Sequence, residues 1–164
     1  MSVEVRAPRA DEAEAVARCQ LDCWREAYAD LADPARLQPS LDDVEGAVER
    51  WEQVLAGPAR VRVAVEDGRV VGFATVRPGS DDASDHLGAI YVRRDRWSTG
   101  LGQRLLDAVL GSAPATLRVY RDNGRARRFY ARNGFVPDGY EGEEAHWGGV
   151  EIGMVRRGPV PPGV

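Results

Sequence analysis

Two apolar runs, ARVRVAVE and RVVGFATV, are separated only by Asp67 and Gly68. An Asp-Gly pair tolerates the positive backbone angles of a two-residue turn, whose twist suits paired strands. The spacing predicts an antiparallel hairpin. A second short strand is expected at VEVRAP, residues 3–8, where apolar and polar residues alternate. Between these strands the period changes. Val16, Gln20, Cys23, Trp24, Ala27, Tyr28 and Leu31 recur at helical spacing, which predicts a helix over 11–29, opened by a capping box of Asp11 and Glu14. ADPARLQPS reads as a break. A second helix is predicted over 41–55 with Ser40 as its N-cap and Val44, Val48, Trp51 and Leu55 as its apolar stripe.

After the hairpin, PGSDDASD is a loop and HLGAIYV a strand, in which Gly88 marks a bulge or a close backbone approach. The segment RRDRWSTGLGQRLLDAVL then passes from polar residues through Gly100 and Gly102 into a helix that stops near Gly111. ATLRVY is a strand, residues 124–132 a helix stopped by Asn133-Gly134, and FVPDGY and AHWGGVEIGMVRR the final strands. The pattern predicts one α/β domain over residues 1–157, a mixed and mostly antiparallel sheet flanked by helices. The Pro- and Gly-rich residues 158–164 are expected to form a disordered C-terminal tail.

Composition narrows the classes of function. The chain has 164 residues, 43% hydrophobic and 29% charged, which suits one globular domain. No apolar run reaches the ~20 residues of a membrane span, and the first residues lack the apolar segment of a signal peptide, so a cytoplasmic protein without a membrane partner is expected. Net charge is −4, which argues against nucleic acid as a partner. All 22 basic residues are Arg, a bias expected of a GC-rich bacterial genome. Without lysine there is no Schiff base and no phosphate-clamping ammonium. Cys19 and Cys23 lack partners at metal-site spacing and read as packed thiols, so no metal is expected.

A Gly-x-Gly at a helix start has two readings. In one the glycines simply allow a tight strand-to-helix turn; in the other the unpaired N–H groups and the helix dipole hold phosphate. A dinucleotide fingerprint needs a third glycine where Leu105 stands, and a P-loop needs a lysine. Coenzyme A, whose pyrophosphate sits on the same kind of loop, stays open.

HLGAIYVRRDRWSTGLGQRLL resembles the acyl-CoA motif of the GNAT superfamily of N-acetyltransferases, and NGRARRFYARNGF resembles that family's second motif at Asn123, Ala126, Phe129, Tyr130, Gly134 and Phe135. CWREAYADL and RVAVEDGRVVGFATV are similar to its N-terminal half. One departure is Trp97, where relatives often keep Arg or Gln. The resemblance implies a GNAT-type fold, acetyl-CoA as cofactor and acetyl transfer to a primary amine of a small molecule by direct attack in a ternary complex. A peptide or protein acceptor, or a non-catalytic acyl-CoA-binding regulatory domain, are the alternatives. A homodimer is compatible with it.

The same resemblance implies residue roles. Ile90, Tyr91 and Val92 would pair with the pantetheine arm, the amides of Ser98, Thr99, Gly100, Leu101, Gly102 and Gln103 would hold the pyrophosphate, and Trp97 would belong to the same cofactor-binding stretch. Asn123, Ala126 and Phe129 would line the cofactor. Tyr130 is the implied general acid, because a phenol stays protonated at neutral pH. As a residue it could equally be a core aromatic, and Asn123 could be a helix cap. His86 occupies the place of the family's usual Glu base; His146 is the other imidazole. Trp24 and Tyr28 would line the acceptor site or pack in the core. The acidic loops, Asp81, Asp82 and Asp85, then Asp138, Glu141, Glu143 and Glu144, would attract a cationic amine or be plain solvated loops.

Overall fold

A computed structural model describes residues 2–80 and 83–158. The expected tail falls largely outside this range, as do Asp81 and Asp82. The seven strands are β1 (Glu4–Arg6), β2 (Arg60–Glu66), β3 (Arg69–Arg77), β4 (Asp85–Val92), β5 (Ala115–Tyr120), β6 (Val136–Glu143) and β7 (Val150–Arg156). The five helices are α1 (Ala13–Tyr28), α2 (Pro34–Asp42), α3 (Val44–Ala56), α4 (Leu101–Val109) and α5 (Gly124–Arg132). The strands form one sheet in the order β1-β2-β3-β4-β5-β7-β6. Every pair is antiparallel except β4 with β5, which run parallel.

The Asp67-Gly68 turn forms between β2 and β3, with both residues at positive φ, 51° and 76°. Three helix expectations need correction. The capping carboxylate is Glu12 rather than Glu14: it accepts from Arg9 N at 2.7 Å and binds the Arg6 guanidinium with both oxygens. Asp11 instead lies in the short 3-10 turn before α1. The supposed break at 32–40 is helix α2, because Asp33 caps it and Pro34 stands at its first position, where the missing N–H costs nothing. Asp43, not Ser40, caps α3 through Gly46 N.

Helices cover both faces of the sheet. On one face, Leu101, Leu105, Leu106 and Val109 of α4 pack with Ala74, Val76, Leu87, Leu117 and Phe135. On the other, Val16, Ala17 and Cys23 of α1 and Trp51 of α3 pack with Val63, Val70 and Phe73. Cys19 and Cys23 are free, buried thiols within this second layer. The alternation on β4 changes phase at Gly88. Leu87 opposes Val76 and Ala89 opposes Thr75, so Gly88 is the extra residue of a bulge. As a result Leu87, Ile90 and Val92 pack on the α4 side, and Ala89 and Tyr91 on the α1 side. No helix among the described residues is long and apolar enough to cross a membrane.

Candidate active site

The parallel pair β4–β5 is joined only at Asp85 with Ala115 and His86 with Thr116. From there the strands diverge. Residues 87–92 and 117–120 face each other across a wedge, with their ladder groups unpaired in that direction. A cavity of about 110 Å³ occupies the wedge, lined by Tyr28, Tyr91, Arg118, Tyr120, Asn123 and Tyr130 among others. A larger cavity of about 450 Å³ lies toward α4. Ile90, Val92, Trp97, Arg125, Ala126 and Tyr130 line both.

The larger cavity is built around the start of α4. Ser98 and Gly100 both take positive φ, 61° and 84°. A serine held there costs roughly 1–3 kcal/mol, a strain that recurs at functional sites. Gly100 caps the helix without any side-chain hydrogen bond, and the first helical bond runs from Arg104 N to Gly100 O at 3.1 Å. The amides of Leu101, Gly102 and Gln103 therefore point outward without a partner, at the positive end of the helix dipole. Thr99 turns its hydroxyl back onto Arg96 O at 2.6 Å.

Trp97 plays two parts here. Its indole N–H donates to Val92 O at 2.8 Å, closing the end of β4. Its ring carries the guanidinium of Arg125, 3.8 Å from the centroid. Arg96, Arg125, Arg128 and Arg132 all line the larger cavity. Arg96 is held by Glu66. Arg125, Arg128 and Arg132 follow one another at helical spacings of three and four, which places them on one face of α5. Burial, with Arg132 nearby, lowers the pKa of Arg125.

Tyr130 stands where the two cavities meet. Its ring packs edge-on against Phe129 and Phe135. Burial first, then the neighbouring Tyr91, pushes its phenol well above the ordinary range, so it remains protonated. Asn123 lines the narrower cavity and also caps α5, its Oδ1 accepting from Ala126 N at 3.2 Å.

The α1 side of the narrower cavity is aromatic. Tyr28 and Tyr91 share a hydrogen bond at 2.5 Å, and burial raises both phenols. Tyr120 packs against Tyr28 and donates to Gly148 O at 3.1 Å. Trp24 lines neither cavity. It packs against Trp147, and its indole N–H is buried with no hydrogen-bond acceptor among the described residues. The loop before β7 is tied to α2: Asp33 N donates to Trp147 O, Arg36 to the carbonyls of Ala145 and His146, and Trp147 Nε1 to Ser40 Oγ.

His86 lies elsewhere. It sits at the closed end of the wedge, its Nδ1 2.9 Å from Thr116 Oγ1, and lines neither cavity. At ~3.3 Å per strand residue it is roughly 13 Å along β4 from Ile90. Burial, then Arg77 and Arg118, lowers its pKa and favours neutral imidazole. His146 is exposed in the α2-tied loop. The acidic loop residues are engaged by the chain itself: Asp85 by Arg60, Glu141 by Arg121, Glu143 by Arg36, and Glu144 by the amides of His146 and Trp147.

Sequence reasoning missed Arg118 and Tyr120 on β5 and the three arginines of α5. Both sets had a signal. Arg118 and Tyr120 alternate with Leu117 and Val119, which marks the opposite face of the strand, and the α5 arginines share one helical face.

Comparison with known proteins agrees with this geometry. The model of the acetyltransferase (GNAT) family matches residues 14–135. An uncharacterised N-acetyltransferase of Mycobacterium tuberculosis is 34% identical over 120 residues, covering 66% of this chain and 76% of that protein. A mycothiol acetyltransferase of Acidimicrobium ferrooxidans is 37% identical over 105 residues, 58% of this chain but only 34% of that protein. Among solved structures, the PaiA N-acetyltransferase of Thermoplasma acidophilum in complex with coenzyme A superimposes with a TM-score of 0.75 at 17% identity, over 96% of this chain and 100% of that one. YncA of Salmonella typhimurium, solved with its cofactor acetyl-CoA, gives 0.71 at 16% identity, over 100% and 99%. The family match and the mycobacterial relative carry the assignment, and the solved structures agree on the fold: the chain belongs to the GNAT family of acetyltransferases.

Proposed function

We propose that this acetyltransferase moves the acetyl group of acetyl-CoA to a primary amine of a small molecule, by direct attack in a ternary complex. The observation that carries this reading is the open β4–β5 wedge, which joins the start of α4, free of any side-chain cap, to the hydroxyl-lined cavity at Tyr130. The residues fit the cofactor. The free amides of Leu101, Gly102 and Gln103 suit a pyrophosphate, with Ser98 and Thr99 shaping the turn, and the arginines of α5 suit further phosphate charge. The unpaired edge of β4 at Ile90 and Tyr91 suits a peptide-like arm, as an added strand would. Val92 is less free, because Trp97 already uses its carbonyl. Ala126 and Phe129 complete the wall.

Acetyl-CoA would supply the activated acetyl group, and the chain supplies position and a proton. A backbone N–H on the edge of β4 polarises the thioester carbonyl. The acceptor amine reacts as its neutral form. Its nitrogen bonds to the carbonyl carbon, the C–S bond breaks, and Tyr130 gives its proton to the departing sulfur. The proton lost by the amine passes to water, from which Tyr130 is restored. The raised phenol pKa keeps Tyr130 in the protonated form, the one able to hydrogen-bond the sulfur as it departs. With His86 outside both cavities, deprotonation of the amine is assigned to solvent.

A small acceptor is supported by the narrow cavity and by the loop before β7, which is bound to α2 across one side of the site. A peptide acceptor would need that loop lifted. Coenzyme A release measured across a panel of amines, beside calorimetric titration of acetyl-CoA, tests the proposal. One-to-one binding and amine-dependent release support it. A folded sample that ignores acetyl-CoA at millimolar concentration, or binds it and releases coenzyme A with no amine, overturns it.

A further inference from the structure

The charges around the acceptor cavity are unevenly satisfied. Among the described residues, the carboxylates of the acidic loops are engaged by arginines or backbone amides of the chain, and Asp138 accepts from Tyr140 N at 2.9 Å. Arg118 is different. It lines the narrower cavity beside Tyr120 and Asn123, yet its guanidinium has no hydrogen bond or ion pair among the described residues. It is exposed, so it stands at the mouth of that cavity.

Its position is prepared by the fold. The ring of Tyr140 lies under the guanidinium, 3.3 Å from the centroid. Tyr140 reaches there because β6 bulges: Pro137 opposes Met154 and Glu141 opposes Ile152, so residues 138–140 stand against Gly153 alone. Gly139 takes a φ of +94° within that bulge. Gly153 is also the cross-strand partner of Arg118. A Cβ at Gly153 would come within 2.4 Å of an Asp138 carboxylate oxygen, so the Asp138 side chain fills the space left by the missing one. A stacked guanidinium keeps its N–H edge free, and that edge matches a carboxylate with two parallel hydrogen bonds. Glu151 and His86 both sense the Arg118 charge, and neither pairs with it.

We propose that Arg118 determines acceptor specificity, and that the acceptor is a small primary amine carrying a carboxylate, of the amino-acid type. The carboxylate binds the Arg118 edge at the mouth, and the amine points inward to Tyr130, which lines the same cavity. This rests on the acetyltransferase reading above and narrows its substrate class.

The test measures coenzyme A release for matched amines: L-amino acids, their primary amides, the corresponding decarboxylated amines, and O-phosphoethanolamine as a phosphate-bearing arm. The carboxylate members are expected to lead by about 10- to 100-fold in kcat/KM, through KM. Arg118→Gln should collapse that ratio toward one, and Tyr140→Ala should narrow it less. Both variants are first shown by calorimetry to bind acetyl-CoA. A preference for the amides or decarboxylated amines, a lead by O-phosphoethanolamine, or a ratio that survives Arg118→Gln overturns the inference. So does acetyl-CoA binding with no release for any member. Failure to bind acetyl-CoA at all counts instead against the acetyltransferase reading.

Discussion

The two halves of the site are built in different ways. In the proposed reading the cofactor half comes from two continuous segments, residues 90–103 and 123–130, whose backbone would do most of the binding. The acceptor half is assembled from side chains of α1, β4, β5 and the loop before β7, distant in sequence and joined only by the fold. A ligand shared by many relatives can be held by backbone amides, which any sequence possesses. A ligand particular to one enzyme has to be read by side chains, the part proposed here for Arg118.

This contrast can be broken at its strongest point first. Tyr130→Phe keeps the ring packing and removes the acid, so kcat should fall by roughly 100-fold or more, while acetyl-CoA affinity stays within a few-fold. Rapid-quench turnover beside calorimetry would check it, and an unaltered kcat would remove Tyr130 from the chemistry. Gly102→Glu comes next. A Cβ there meets only Phe129, at 3.7 Å, so the fold has room for it, but a carboxylate is placed beside the helix amides. Acetyl-CoA should bind about 100-fold more weakly, with the thermal midpoint nearly unchanged.

These two positions also show what the sequence made legible. The strand, Gly-x-Gly and helix of the cofactor half are local, and so are the bounds of β5 and α5, so motif and period found them. The acceptor half depends on tertiary facts. The Gly88 bulge sends Tyr91 toward Tyr28, and the β6 bulge brings Tyr140 over Arg118. Neither contact has a local signature. His86 is legible as a position but not as a role: its place in the motif suggests a base, and the parallel pairing with Thr116 sets it at the closed end of the wedge. Helix α2 was obscured because Pro34 and Pro39 read as breakers, although Pro34 stands at a helix start.

Stability should separate from function at Glu12, far from either half of the site. The residue is 7% exposed, and its carboxyl is held at a pKa of about 2, first by the Arg6 hydrogen bonds and then, against the cost of burial, by Arg9 N. A depressed carboxylate stabilises the fold fully above its unfolded pKa, near ~4.3, and the contribution fades as pH falls toward 2. Glu12→Gln should lower stability at pH 7 by about 2 kcal/mol in urea unfolding, and the gap to the parent should close as pH falls below ~4. An equal gap at pH 7 and pH 3 would contradict the ion pair's role.

The smallest effect is expected at His86. His86→Gln should change kcat/KM by less than about 3-fold, and the rate should climb with pH toward the pKa of the acceptor amine, with no inflection from an imidazole. A large loss that removes an inflection near pH 6 would restore His86 as the base and alter the description of the acceptor half.

A crystal structure with acetyl-CoA tests the central claim most directly, that the wedge between β4 and β5 delivers a thioester to Tyr130. The account predicts the pyrophosphate on the amides of Leu101 to Gln103, the pantetheine arm along β4, and the thioester sulfur about 3–4 Å from the Tyr130 hydroxyl. Acetyl-CoA bound outside the wedge, or a thioester out of reach of Tyr130, would contradict it.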